Sequence, residues 1–145
     1  MKLWISNTLR QAAWAPLAVF VFYAMAGLGF NAYILYPWLD MPTHFCGGLA
    51  ITYFYLAAGA HAQALTGRIP EAVLRLMALG LTALTAVCWE FLEYSSDVLL
   101  HTQMNLGVSD TLSDLFFGLL GGGVMVAVAP YALRLALSRA ARGAE

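Results

Sequence analysis

The stretch LMALGLTALTAVCWEFLEYSSDVLL, residues 76–100, begins apolar enough for lipid and then carries Glu90, Glu93 and Asp97. Their i, i+3, i+7 spacing puts all three on one face of a helix. No Lys or Arg lies between Arg75 and Arg134, so nothing in this segment neutralises them. Read as a membrane span with one acidic face, the stretch sets the reading of the whole chain.

Composition agrees. Apolar residues make up 61% of the 145 residues and charged residues 10%, against roughly 45–50% and 25% in soluble domains. The polar surface a soluble protein of this length needs is missing, so the chain is expected to be an integral membrane protein. Its length suits one domain. A net charge of −1 excludes nucleic acid as a partner, because there is no basic excess to displace counterions.

Apolar windows of about 20 residues, enough to cross a bilayer, fall at 13–36, 41–60, 72–99 and 110–137. The expected fold is all-α: a single transmembrane helical domain over residues 1–145, a polytopic bundle of about four spans. Pro70 sits just ahead of the third span, where its missing N–H costs nothing. Ser109-Asp110 is a candidate N-cap for the fourth. Ala24-Met25-Ala26 has the pattern of a signal-peptidase site. The apolar run continues past it to Trp38, so a retained span is expected.

All seven basic residues, Lys2, Arg10, Arg68, Arg75, Arg134, Arg139 and Arg142, fall on one side of such a bundle. That side is expected to be cytoplasmic, with both termini inside. Tyr33, Tyr36 and Trp38 form an aromatic belt on the other side. The expected location is the bacterial inner membrane, as a multi-pass protein in contact with the lipid bilayer.

This topology brings the remaining charges to one depth. Asp40 and His44 open the second span, Glu90, Glu93 and Asp97 end the third, and Asp110 and Asp114 open the fourth. Residues i and i+4 lie about 40° apart around a helix axis, so each group forms one stripe. An ionisable side chain in mid-span costs roughly 2.5–3.5 kcal/mol on insertion scales and nearly always faces a bundle interior. The stripes therefore have reason to meet, and once together they need shared protons or a bound cation. Asp40, His44, Glu90, Glu93, Asp110 and Asp114 are the candidate metal ligands. Imidazole mixed with carboxylate suits zinc, manganese or iron; magnesium or calcium remains open through the oxygen-rich set.

Glu93 and Asp114 are the candidates for catalytic proton transfer, and Asp97, Tyr94 and Asn105 for groups surrounding the ligands. Singly, plainer roles exist: Asp40 in the headgroup layer, Asp110 as a helix cap, Asp97 solvated at the interface. Trp89 can hydrogen-bond a carboxylate or anchor at the interface. His61 and His101 are expected to be solvated, Cys46 and Cys88 to be packing residues, and the glycines of CGGLA and GLLGGG to let helices approach closely.

The blocks DMPTHFCGG, WEFLEYSSDVLL and GVSDTLSDLFFGLLGG, over roughly residues 38–123, resemble in order those of the YjdF-like group of small bacterial membrane proteins. The Asp/His pair opening one helix is more loosely similar to VanZ-like membrane proteins. The shared pattern falls on Asp40 and His44, on Trp89, Glu90, Glu93 and Asp97, and on Asp110, Thr111, Asp114 and Leu115. The resemblance implies a helical membrane protein with these polar positions and no settled activity.

Function is left in three classes. The first is a metal-dependent hydrolase at the outer face, acting on a lipid or lipid-linked substrate. The second is a non-enzymatic accessory or structural metal-binding protein, and the third is a cation or proton transporter. With so few spans a homo-oligomer is admissible, above all for transport. Neither GxSxG nor HExxH is present, so no nucleophile or protease motif narrows the choice.

Overall fold

The computed structural model describes residues 2–142, with the side chains of Lys2, Leu28 and residues 131–142 outside the described set. The expected basic flank at Arg134, Arg139 and Arg142 therefore lies outside the described side chains. The chain is 89% helical and, among the described residues, has no strand. In order come α1 (Lys2–Ala12), α2 (Trp14–Ala24), a π turn (Met25–Gly29), α3 (Ala32–Leu35), a 3-10 turn (Pro37–Leu39), α4 (Asp40–Thr66), α5 (Glu71–Leu100) and α6 (Val108–Arg142).

The first expected span, 13–36, is helical from Trp14 to Gly29 and is interrupted at Asn31, and a bend precedes it. Leu3–Ala12 and Trp14–Gly27 are two helical pieces bent by 52°. Pro16 accounts for the bend: it cannot donate to the Ala12 carbonyl, and its ring crowds that group. Over Met25–Gly29 the helix widens into the π turn, then ends where Asn31 takes a left-handed conformation, φ 49°, which Asn tolerates better than most residues.

Helix α5 and the stretch Val108–Pro130 are each long and apolar enough to cross a membrane, and the bent pair makes a third crossing if taken as one. Helix α4 has 27 residues, about 40 Å at 1.5 Å per residue, but is not apolar enough for that class. Asp40, Thr43, His44, Thr52, Tyr53, Tyr55, His61 and Gln63 all lie on it. It is the central helix, packed against α1, α2, α5 and α6, so polar side chains on it find partners within the protein. The molecule is an all-α membrane bundle.

Small residues hold it together. A Cβ on Gly48 would stand 1.8 Å from the Gly118 carbonyl oxygen, and one on Gly121 would stand 2.0 Å from that of Phe45. Backbones of α4 and α6 thus touch, as in small-residue membrane interfaces. One layer further in, Thr52 and Thr82 share a 2.7 Å hydrogen bond between buried hydroxyls, and Thr82 donates to Ala78 O at 2.9 Å. Large side chains such as Leu84, Phe91, Leu99 and Phe116 point outward, where lipid is the fitting solvent.

Candidate functional site

Helices α4 and α5 run antiparallel while α4 and α6 run parallel, and this order decides what meets. Gly59 on α4 faces Leu74 on α5, Thr52 faces Thr82, and Gly48 faces Gly118 on α6. The start of α4, the end of α5 and the start of α6 consequently share one end of the bundle.

At that end His44, Glu90, Glu93 and Asp114 each offer a ligand atom, all within 4.8 Å of one another. Three helices supply them. Glu90 is 7% exposed, Glu93 3% and Asp114 2%, so water cannot do the work of a counter-ion here. A second set, Asp40, Asp110 and Asp114, meets the same 4.8 Å limit. His44 Nε2 lies 3.4 Å from Asp40 Oδ1 and 3.9 Å from Asp114 Oδ1, between the two sets.

Hydrogen bonds satisfy only part of this cluster. Trp89 donates its indole N–H to Glu93 Oε1 at 2.7 Å. Its ring is held edge-on by Tyr23 and Phe20 of α2, with centroids 5.2 and 6.5 Å away. By contrast, Glu90 Oε2 and Asp114 Oδ2 are buried with no partner. Orphaned carboxylate oxygens are costly, since burying an unpaired polar atom forfeits its hydration. The described ion pair involving Arg is Arg75 with Glu71, and along α5 Arg75 is roughly 22 Å from Glu90 at the helical rise. The donor set, one imidazole with several carboxylates and two free buried oxygens, fits a divalent cation.

The residues expected around the ligands divide. Asp97 serves the loop: it accepts hydrogen bonds from Thr102 Oγ1 and, at 2.9 Å each, from the backbone N–H groups of Met104 and Asn105. Asn105 donates to Thr111 Oγ1 at 2.7 Å and accepts from Gly107 N at 2.8 Å. It thus braces the start of α6 beside the cluster. Tyr94 is 62% exposed and points off the bundle: on α5 it lies one position past Glu93, about 100° around the helix. Asp110 combines two roles, since its Oδ2 accepts from Leu106 N at 2.8 Å while the residue also belongs to the second set. A carboxylate in the first turn of a helix can do both.

Tyr33, expected only as part of the aromatic belt, meets Thr43 Oγ1 with its hydroxyl at 3.1 Å and ties α3 to the turn before His44. The sequence did not point to Tyr23, one aromatic among several on α2. The contacts of both tyrosines carry no sequence signal, because each lies between helices. His61, expected in water, bonds Gln11 Oε1 through Nε2 at 2.8 Å, while His101 is exposed at the end of α5. Cys46 and Cys88, expected to pack inside, are free and exposed.

Beside the cluster, a cleft of about 140 Å³ runs between α2, α4 and α5, with Val19, Phe20 and Ile51 among its apolar walls and His44 and Trp89 also lining it. Beneath the cluster the packing closes on the Thr52–Thr82 pair, both at 1% exposure or less.

A protein of Thermotoga maritima described as uncharacterized is 33% identical over 102 residues, which is 68% of this chain and 51% of that protein. The chain thus spans about half the length of this curated relative. No solved structure matches it. A family model described as "Predicted membrane protein (DUF2238)" matches residues 1–134, nearly the entire chain and every residue of the cluster. The chain belongs to the DUF2238 family of predicted membrane proteins.

Proposed function

We propose that this protein binds a divalent metal through His44, Glu90, Glu93 and Asp114 and uses it to hydrolyse a lipid or lipid-linked substrate at the outer face of the bacterial inner membrane. One observation carries the reading: four donor atoms from three helices lie within 4.8 Å, the three carboxylates buried and His44 half-buried, with Glu90 Oε2 and Asp114 Oδ2 unpartnered. Desolvating several carboxylates without a compensating charge is expensive, and no Lys or Arg among the described residues pairs with them.

A bound divalent ion would supply a Lewis acid for a phosphoryl or carbonyl oxygen. The chain supplies the rest. Glu93, oriented by the Trp89 N–H, is positioned to take a proton from an attacking water, the general-base role; in a one-ion site Asp114, beside His44, can share it. The cleft between α2, α4 and α5 would hold apolar chain beside His44 while excluding water. The finer likeness to YjdF-like and VanZ-like proteins, carried by the Asp40–His44, Trp89–Glu93 and Asp110–Asp114 blocks, belongs to this proposal, as do the outward orientation and homo-oligomerisation.

Burial favours a second reading. At 2–3% exposure for Glu93 and Asp114, the ion would work equally well as a clamp joining α4, α5 and α6 in an accessory protein without turnover. The closed Thr52–Thr82 layer argues against a path through the bundle for transport.

Elemental analysis of detergent-purified protein, prepared without chelator, tests the shared premise. About one or more divalent ions per chain are expected, falling sharply in Glu90→Gln and His44→Ala. A wild-type protein free of metal after incubation with Zn²⁺, Mn²⁺ and Fe²⁺ would overturn it. Hydrolysis of phospholipid or isoprenyl-phosphate vesicles by the metal-loaded protein, lost on chelation and restored by added metal, separates enzyme from clamp.

A further inference from the structure

The two ligand sets meet in a single side chain, and that geometry has a meaning of its own. His44, Glu90, Glu93 and Asp114 form one set; Asp40, Asp110 and Asp114 form the other. Asp114 has two oxygens, is 2% exposed, and has Oδ2 without any partner. His44 Nε2 is 3.4 Å from Asp40 Oδ1 and 3.9 Å from Asp114 Oδ1, so the sets are adjacent, not remote. Five carboxylates and one imidazole are far more negative charge than one divalent ion balances. Two such ions balance four of the five, and a carboxylate can bridge ions about 3.5–4 Å apart, the spacing of two-metal sites.

Resting on the metal reading above, we infer that the site is dinuclear, with Asp114 as the bridging carboxylate between an inner ion held by His44, Glu90 and Glu93 and an outer ion held by Asp40 and Asp110. The inner ion has the buried, nitrogen-containing set. The outer ion has oxygen ligands only and sits at the half-exposed mouth, under the loop that Asp97 pins. A substrate approaching from the headgroup layer meets the outer ion first. That arrangement suits a phosphoryl oxygen, which two cations can clamp from both sides, and so favours a phosphate ester of a lipid over a carboxylic ester. The outer position is also the more exchangeable, because Asp40 and Asp110 are only half-buried.

Mn²⁺ titration of metal-stripped, full-length protein in detergent, followed by elemental analysis and electron paramagnetic resonance, decides the matter. The expected result is two Mn²⁺ per chain in wild type, with the six-line signal of the first equivalent giving way to an exchange-coupled signal at the second. Asp40→Asn and Asp110→Asn should each keep one Mn²⁺ with an uncoupled signal, and Asp114→Asn should lose the coupling. Circular dichroism checks that each variant keeps its helices; the wild-type titration stands without them. One ion per chain in wild type, or two without coupling, would overturn the bridged pair and leave the single-ion reading intact. No bound Mn²⁺ at all would remove both.

Discussion

Glu93 Oε1 receives the indole N–H of Trp89 at 2.7 Å, one turn back along the same helix, and that tryptophan is wedged edge-on against Tyr23 of α2. A helix with no charged residue in the cluster, α2, thereby sets the orientation of one of its carboxylates. Trp89→Phe keeps the aromatic wedge and deletes only the donor. It should cost about 1.5–3 kcal/mol, the range for hydrogen bonds to charged groups, read as a lowered midpoint of thermal unfolding in detergent. Tyr23→Leu should shift the midpoint by less while raising the rotational mobility of Trp89 in fluorescence anisotropy. An unchanged midpoint in Trp89→Phe would mean the bond is not formed.

The α4–α6 contact leaves no room for a methyl group. Gly48→Ala and Gly121→Ala would each force backbone apart, since the added Cβ would stand 1.8 and 2.0 Å from a carbonyl oxygen. Overpacking usually costs about 1–3 kcal/mol, and rigid backbone on the far side puts these two at or beyond the upper end. Folded yield and unfolding midpoint should both drop. Gly47→Ala, with nothing within 4 Å of its Cβ, should behave as wild type, and equal behaviour of all three variants would refute the contact.

Asp97 belongs to the loop, not the cluster. Asp97→Ala removes the acceptor for the Met104 and Asn105 N–H groups and for Thr102. Hydrogen exchange at residues 102–106 should speed up by about tenfold or more, one factor of ten per roughly 1.4 kcal/mol of lost protection. Metal content should not change. A loss of bound metal comparable to that of Glu90→Gln would place Asp97 among the ligands instead.

The basic residues set a side, and labelling can check it. In a background with Cys46 and Cys88 replaced by Ala, a cysteine at exposed Gln103 should react with an impermeant maleimide added to intact cells. One at Arg68 should react only after the membrane is opened. The reverse pattern would turn the cluster toward the cytoplasm.

How the chain divides between what sequence determines and what only packing decides can be seen residue by residue. Glu90, Glu93 and Asp97 share a helical face by spacing alone, and the apolar run before them announces a span, because periodicity and hydropathy are local properties. Close helix approach was likewise readable at Gly48 and Gly121, but not at Gly47 and Gly123 of the same runs, which have open space around them. Hydropathy is continuous over 13–36, yet the helix ends at Asn31, a break that hydropathy does not register. The helix expected at 41–60 lies within α4, where apolarity is traded for polar groups whose partners lie on other helices. Asp97, Glu93 and Asp114 look alike as letters. The Trp89–Glu93 bond, i to i+4 on one helix, and the contacts of Asp97 with the loop that follows it are local; tertiary structure alone took Asp114 to the meeting point of two ligand sets, because that depends on distances between helices, which no single helix contains.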